Sequence, residues 1–149
     1  MSYEKLMEHS DNTAAFLTHA KSIDSTAALI SPAENQWSPA FIAHHLADAQ
    51  MHFAIRYFNA LTIPMPSITP FDEELYPGVL NYGGRDWKNS LRIIEAMGDV
   101  IRTTLEPLNA EQWERKSMHP EIGQVSISKL ITKASAHLAA HTEQLKAAM

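Results

Sequence analysis

The chain contains no cysteine, which excludes a disulfide framework, a thiolate metal ligand and a cysteine nucleophile. Any thiol chemistry has to bring its sulfur in with a substrate or cofactor. No apolar run approaches the ~20 residues needed to span a bilayer, and the amino terminus lacks a basic segment leading into an apolar stretch. The expectation is a soluble, cytoplasmic protein with no membrane partner. The 12 Lys and Arg are scattered and the formal net charge is −5, so there is no basic cluster of the kind that holds a phosphate backbone, and no nucleic-acid partner is expected. Convincing two-residue alternation is missing as well, which leaves no strand pattern to build a sheet from.

Helical periodicity is what the chain has. At 149 residues it fits one domain, 1–149, long enough to bury a proper core. A first helical segment runs from about Tyr3 to Ile23, with Leu6, Thr13, Phe16, Leu17, Ala20 and Ile23 as its stripe. A linker, Asp24 to Trp37, follows. Ser38 is a good N-cap and Pro39 stands at the first helical position, where its missing N–H costs nothing, so a second helix runs to about Asn59. From Leu61 to Gly84, Pro64, Pro66, Pro70 and Pro77 together with Gly78, Gly83 and Gly84 forbid a regular helix. Loops of that length in a compact domain are usually functional.

Asp86 caps a third helix carrying Trp87, Leu91, Ile94, Gly98, Ile101, Leu105 and Leu108 at alternating four- and three-residue steps, the seam of a packed bundle. Gly98 on that seam predicts close approach by a neighbour. A second long connection, Asn109 to Val125, leads to Ser126, the cap of a fourth helix reaching about Ala147. Four amphipathic helices and two long crossover loops predict an all-α four-helix bundle, whose core is a common place to build a metal site from facing side chains.

The fourth helix carries His137 and His141. Residues four apart on a helix stand one above the other, with Cβ atoms roughly 5–6 Å apart, so the two imidazoles can share one ion. Equally, such a pair can sit wet on a solvated face. A catalytic site needs a third protein ligand and an open position. The third helix has no histidine, whereas the second has His44, His45 and His52. Adjacent residues point about 100° apart, so only one of His44 and His45 can face a shared ion. His45 shares a face with Ser38, Asp48 and His52, and His44 lines up with Trp37, Met51 and Ile55. Periodicity leaves both open. His52 lies two turns from His45, about 10.5 Å along the axis, too far to join the same ion.

Trp37-Ser38-Pro39 leading into His45-Leu46-Ala47-Asp48, then Phe71-Asp72-Glu73, His119-Pro120-Glu121-Ile122-Gly123 and His137-x-x-x-His141-x-x-Gln144 together resemble the DinB-like (YfiT-like) superfamily of four-helix-bundle metalloenzymes. The resemblance runs from about Trp37 to Leu145. It implies one histidine from the second helix and two from the fourth on a divalent metal, nickel or zinc, and position by position these are His45, His137 and His141. It further implies a metal-bound nucleophile. Proteins of this superfamily are similar to thiol-dependent transferases and isomerases using small thiols such as bacillithiol, mycothiol or glutathione, or to metal-dependent hydrolases, with a homodimer common among them. A small-molecule substrate and a low-molecular-weight thiol cofactor are the corresponding expectations here.

Other polar residues have weaker claims. Asp48 and Gln144 could orient ligand rings. His119, in the loop before the fourth helix, could serve as a general acid or base, or simply close a turn before proline. Asp72, Glu73 and Glu74 form an acidic loop that could approach the metal or stay solvated. Arg56 and Arg85 could receive an anion. Trp37, Trp87 and Trp113 are expected to close the ends of the core, and His9 and His19 to sit on the surface. Two functional readings follow: a metal-dependent thiol transferase or hydrolase, and a non-catalytic, stress-related metal-binding or interaction bundle. An open coordination position in a pocket lined by loops 61–84 and 109–125 favours the first; a fourth protein ligand such as Glu73 favours the second.

Overall fold

Each predicted cap is made. Ser38 Oγ accepts from the Phe41 N–H and Pro39 opens α2, Pro39–Thr62; the Asp86 side chain accepts from the Lys88 N–H at the start of α4, Trp87–Leu105; Ser126 Oγ accepts from the Lys129 N–H ahead of α6, Ile127–Ala148. With α1, Ser2–Lys21, these are the four long helices of the computed structural model, which describes residues 2–149. Two short helices, α3 (Tyr76–Val79) and α5 (Ala110–Trp113), lie in the connections. The chain is a four-helix bundle with one small two-stranded sheet.

That sheet departs from the sequence expectation. β1 (Lys116–His119) pairs antiparallel with β2 (Gly123–Ser126), Ser117 opposite Val125. The turn needs Gly123, whose φ of +76° is left-handed. Only Ser117 and Val125 face inward, and a two-residue alternation carried by one serine and one valine is too short to stand out.

Packing is not sequential. α1 lies against α6 and α4, and α2 against α4 and α6, so α1 and α2 face each other across the diagonal, as do α4 and α6. The connections 22–38 and 106–126 must cross the bundle ends for that reason. The segment 63–86 joins neighbours and needs no such length to span them; its excess lies over α2. Backbone bonds between Ile68 N–H and Met118 O and between Met118 N–H and Pro66 O, both 2.8 Å, tie it to the hairpin.

α2 is the most buried element, with Ile42, Ala43, Leu46, Ala47 and Ala49 all essentially inaccessible. Its many alanines let α4 and α6 approach its backbone closely. The core divides into two apolar clusters, one around Phe16, Ile42, Leu46, Trp87, Ile94 and Leu138, the other around Leu6, Tyr57, Ile101, Leu105, Ile127 and Ile131. Gly98 behaves as its position on the seam predicts: a Cβ there would meet Thr13 Cγ2 of α1 at 3.1 Å.

Two histidines depart from expectation. His9 is buried rather than on the surface, with its Nδ1 unpartnered, and His19 is half-buried. α1 uses two faces, against α6 and α4, so a polar residue beside the apolar stripe still turns inward.

Candidate metal centre

α2 and α6 are neighbours, and that adjacency brings His45 to the His137–His141 face. His45 Nε2 lies 3.1 Å from His137 Nε2, and His141 Nε2 lies 3.0 Å from the same atom. Each residue offers a ring nitrogen, and the three lie within 4.8 Å of one another. An imidazole nitrogen has a single in-plane site, a proton or a lone pair. His137 Nε2 faces two other nitrogens with that one site, so hydrogen bonding alone serves the cluster poorly, whereas one cation would accept all three lone pairs.

The electrostatics point the same way. Burial, reinforced by the neighbouring imidazoles, holds His45 down to about 3, and burial with His141 alongside holds His137 down to about 4. His141 is also lowered, by burial, against an opposing pull from Gln144 and Glu73. All three are neutral at pH 7, the form in which imidazole binds a metal. His141 is further prepared: its Nδ1 lies 2.7 Å from Gln144 Oε1. An amide oxygen only accepts, so the proton sits on Nδ1 and the Nε2 lone pair is free. Three converged, neutral imidazole nitrogens without thiolate suit a divalent transition-metal ion.

His44 points elsewhere. Its Nδ1 pairs with Ser90 Oγ of α4 at 2.7 Å, and its ring meets Tyr82 edge-on. The ambiguity that periodicity left open is resolved by neighbours: α6 flanks one face of α2 and α4 the other. Asp48 orients no ligand ring. It accepts from Tyr82 Oη at 2.8 Å and from Arg85 Nη1 at 2.7 Å, anchoring the end of the 63–86 segment to α2. His45 Nδ1 is buried and unpartnered. Arg85 spends its Nη1 on Asp48, so part of its fork is committed to holding the segment. His52 pairs with Tyr76 Oη at 2.7 Å and stacks on Phe71 with centroids 4.1 Å apart. His119 closes the hairpin turn, its Nδ1 accepting from the Glu121 and Ile122 N–H groups, and no hydrogen bond among the described residues joins it to the triad.

Glu73 reaches the cluster. Its Oε2 lies 3.3 Å from His45 Nε2, on a side chain that is half exposed. The site opens into a cavity of about 460 Å³ whose walls include Asn35, Trp37, Glu73, Glu74, His141 and Gln144. This is within the size range of small-molecule pockets. Its walls come from the 24–37 linker, the acidic loop and the end of α6, so the linker takes the place expected for loop 109–125. Trp37, expected only to close the core, is half-buried in this mouth with its ring 5.2 Å from that of His45. Its position directly before the α2 cap was the available signal, since that places it about two turns before His45.

A family model described as the DinB superfamily matches residues 8–145. A protein of Oceanobacillus iheyensis, provisionally named a metal-dependent hydrolase, is 36% identical over 95 residues, which cover 64% of this chain and 55% of that one. YfiT of Bacillus subtilis, with the same provisional name, is 28% identical over 89 residues, covering 60% of this chain and 50% of its own length. These matches thus span about half of each relative. Among solved structures, YfiT from Bacillus subtilis, described as having an unusual four-helix bundle topology, superposes with a TM-score of 0.82 at 21% identity, over 98% of this chain and 86% of that one. A mycothiol-dependent maleylpyruvate isomerase gives 0.80 at 13% identity, over 97% and 60%.

Proposed function

The chain belongs to the DinB superfamily, and on that premise we propose that it is a metal-dependent enzyme acting on a small molecule, with His45, His137 and His141 holding one divalent ion, zinc or nickel. The observation that carries this is the convergence of three neutral imidazoles, two pairs of Nε2 atoms 3.0 and 3.1 Å apart, with His141 on the wall of a cavity of substrate size. A divalent ion among neutral imidazoles supplies undiminished positive charge, which lowers the pKa of a water or thiol and polarises a substrate oxygen.

The chain's own residues supply the rest. Gln144 keeps the His141 lone pair inward. Glu73, on a half-exposed loop beside His45, is placed to take a proton from an incoming nucleophile and pass it to solvent. Trp37 covers one wall and narrows access for water. The nucleophile is water in a hydrolase or a low-molecular-weight thiol in a transferase; the absence of cysteine means that a thiol is brought in from outside. Within this reading the protein works in the cytoplasm, as a homodimer.

The Glu73 contact favours a second reading, a closed structural site with the carboxylate as fourth ligand. The two are separated by metal content and affinity. Untagged wild-type protein reconstituted with Zn²⁺ or Ni²⁺ is expected to hold about one equivalent, by analogy with three-histidine sites, and His137→Ala to lose it; metal retained by His137→Ala refutes the triad. Glu73→Gln retains the ion under the enzyme reading and lowers turnover in a screen of esters, amides and thiol-plus-electrophile pairs. A loss of metal affinity in Glu73→Gln as large as in His137→Ala instead establishes the structural site.

A further inference from the structure

Arg56 has no assigned task. It projects from α2 one turn beyond His52, half-buried, with its guanidinium carbon 5.4 Å from the Phe53 ring centroid and 5.9 Å from that of Phe71. Among the described residues it enters no ion pair. Its one side-chain hydrogen bond to the described residues is a long contact, 3.4 Å from Nη2 to the Thr69 carbonyl. A guanidinium carries five N–H donors. Here most are unused in a partly desolvated setting, and burial pushes the group below the usual arginine range.

A second polar residue belongs to the same space. Ser117, on β1, is 0% exposed, and among the described residues its Oγ has no hydrogen-bond partner. Arg56 and Ser117 line one recess of about 110 Å³ between α2 and the 66–69 segment, together with His52, Asn59, Ser67 and Thr69. No acidic residue lines it. His52 is held neutral by burial and by the charge of Arg56 itself, so the recess has a single formal charge, positive. Its volume is well below the ~300 Å³ at which drug-sized pockets begin, so it admits a group of a few heavy atoms.

We propose that this recess is a binding site for a small oxyanion, either the carboxylate of a small molecule or inorganic phosphate. The Arg56 fork would donate to two of its oxygens and Ser117 Oγ–H to one. Such a ligand neutralises a guanidinium that no carboxylate among the described residues pairs and offers an acceptor to a buried hydroxyl. The site does not depend on the imidazole triad. Phe71 stands between the two, its ring centroid 5.9 Å from the Arg56 guanidinium carbon and 6.5 Å from the ring of His45, which makes the recess a neighbour of the candidate metal centre and not a part of it.

The test uses chelator-stripped full-length protein, so that no metal can bind the anion. ¹H–¹⁵N spectra, including the arginine Nε–H region, are recorded while sodium acetate or sodium phosphate replaces chloride at constant ionic strength. Saturable shifts at Arg56, Ser67, Thr69 and Ser117 are expected with at least one probe, persisting in His137→Ala. Arg56→Gln is expected to weaken binding about tenfold or more, as loss of a bidentate charged contact does, and Ser117→Ala several-fold. Acetate alone points to the carboxylate, phosphate alone to phosphate, and saturation by both to the shared oxyanion chemistry. Shifts that do not saturate for either probe, or that are unchanged in both folded variants, overturn the proposal. Should Arg56→Gln fail to fold, Ser117→Ala decides the question on the same terms.

Discussion

Replacing Asp48 with alanine should loosen the segment beside the three-histidine cluster and cost a sizeable part of the protein's stability. The Asp48 side chain is 5% exposed and that of Arg85 26%; Tyr82 is buried, and its hydroxyl donates to the same carboxylate. Asp48→Ala leaves that hydroxyl without an acceptor, at about 1–3 kcal/mol, and strands a cation that recovers only part of its hydration. Breaking a buried ion pair from one side costs about 3–5 kcal/mol, and the partial exposure of Arg85 places the expectation at the lower end, about 3 kcal/mol. For a chain of this size that corresponds to a Tm lower by roughly 6–12 °C, at about 2–4 °C per kcal/mol. Thermal melts at pH 7 of Asp48→Ala, Arg85→Met and the double variant measure the total and the coupling, expected at about 1–3 kcal/mol for groups in one network. Hydrogen exchange should rise through residues 71–84 before it rises in the α1–α6 interface. A loss under about 1 kcal/mol, or single effects that simply add, would refute the idea that this carboxylate anchors the 63–86 segment.

Two further outcomes test the site and the core. Gln144→Leu removes the acceptor that holds the His141 proton on Nδ1, and is expected to lower zinc or nickel affinity about 10–100-fold with little change in melting temperature of the metal-free protein; unchanged affinity in competition titrations contradicts that role. For His9, the folded-state pKa is about 4 against an ordinary 6.5 because burial disfavours the cation. The unfolded chain therefore binds the extra proton first, and the contribution of neutral His9 is complete above pH 6.5 and lost as pH falls toward 4. The loss approaches about 3 kcal/mol. Urea unfolding of metal-free wild type and His9→Leu across pH 4–7.5 should show a shallower acid decline in the variant; parallel declines contradict the assignment.

Much of the bundle was legible because its signals are local. Ser38-Pro39, Asp86 and Ser126 each satisfy orphan N–H groups of the turn that follows them, so helix starts can be read from a few residues. The i, i+4 spacing of His137 and His141 likewise needs only the helical repeat. The hairpin was not legible, because its inward face is Ser117 and Val125 alone. Nor were the diagonal connections, the burial of His9, or the Trp37 wall, each of which depends on which helices become neighbours.

The choice between His44 and His45 shows where the boundary falls. Sequence alone determines that the two rings diverge by about 100° and that only one can meet an ion shared with α6. Helix propensity and capping say nothing about the angular position of α2 in the bundle. That was settled by packing: α6 lies on the His45 side and α4, with Ser90, on the His44 side. The same placement lowers the His45 pKa, since desolvation and neighbouring imidazoles exist only once the helices have assembled. Periodicity is a property of one helix, whereas a site built across two helices is a property of their contact.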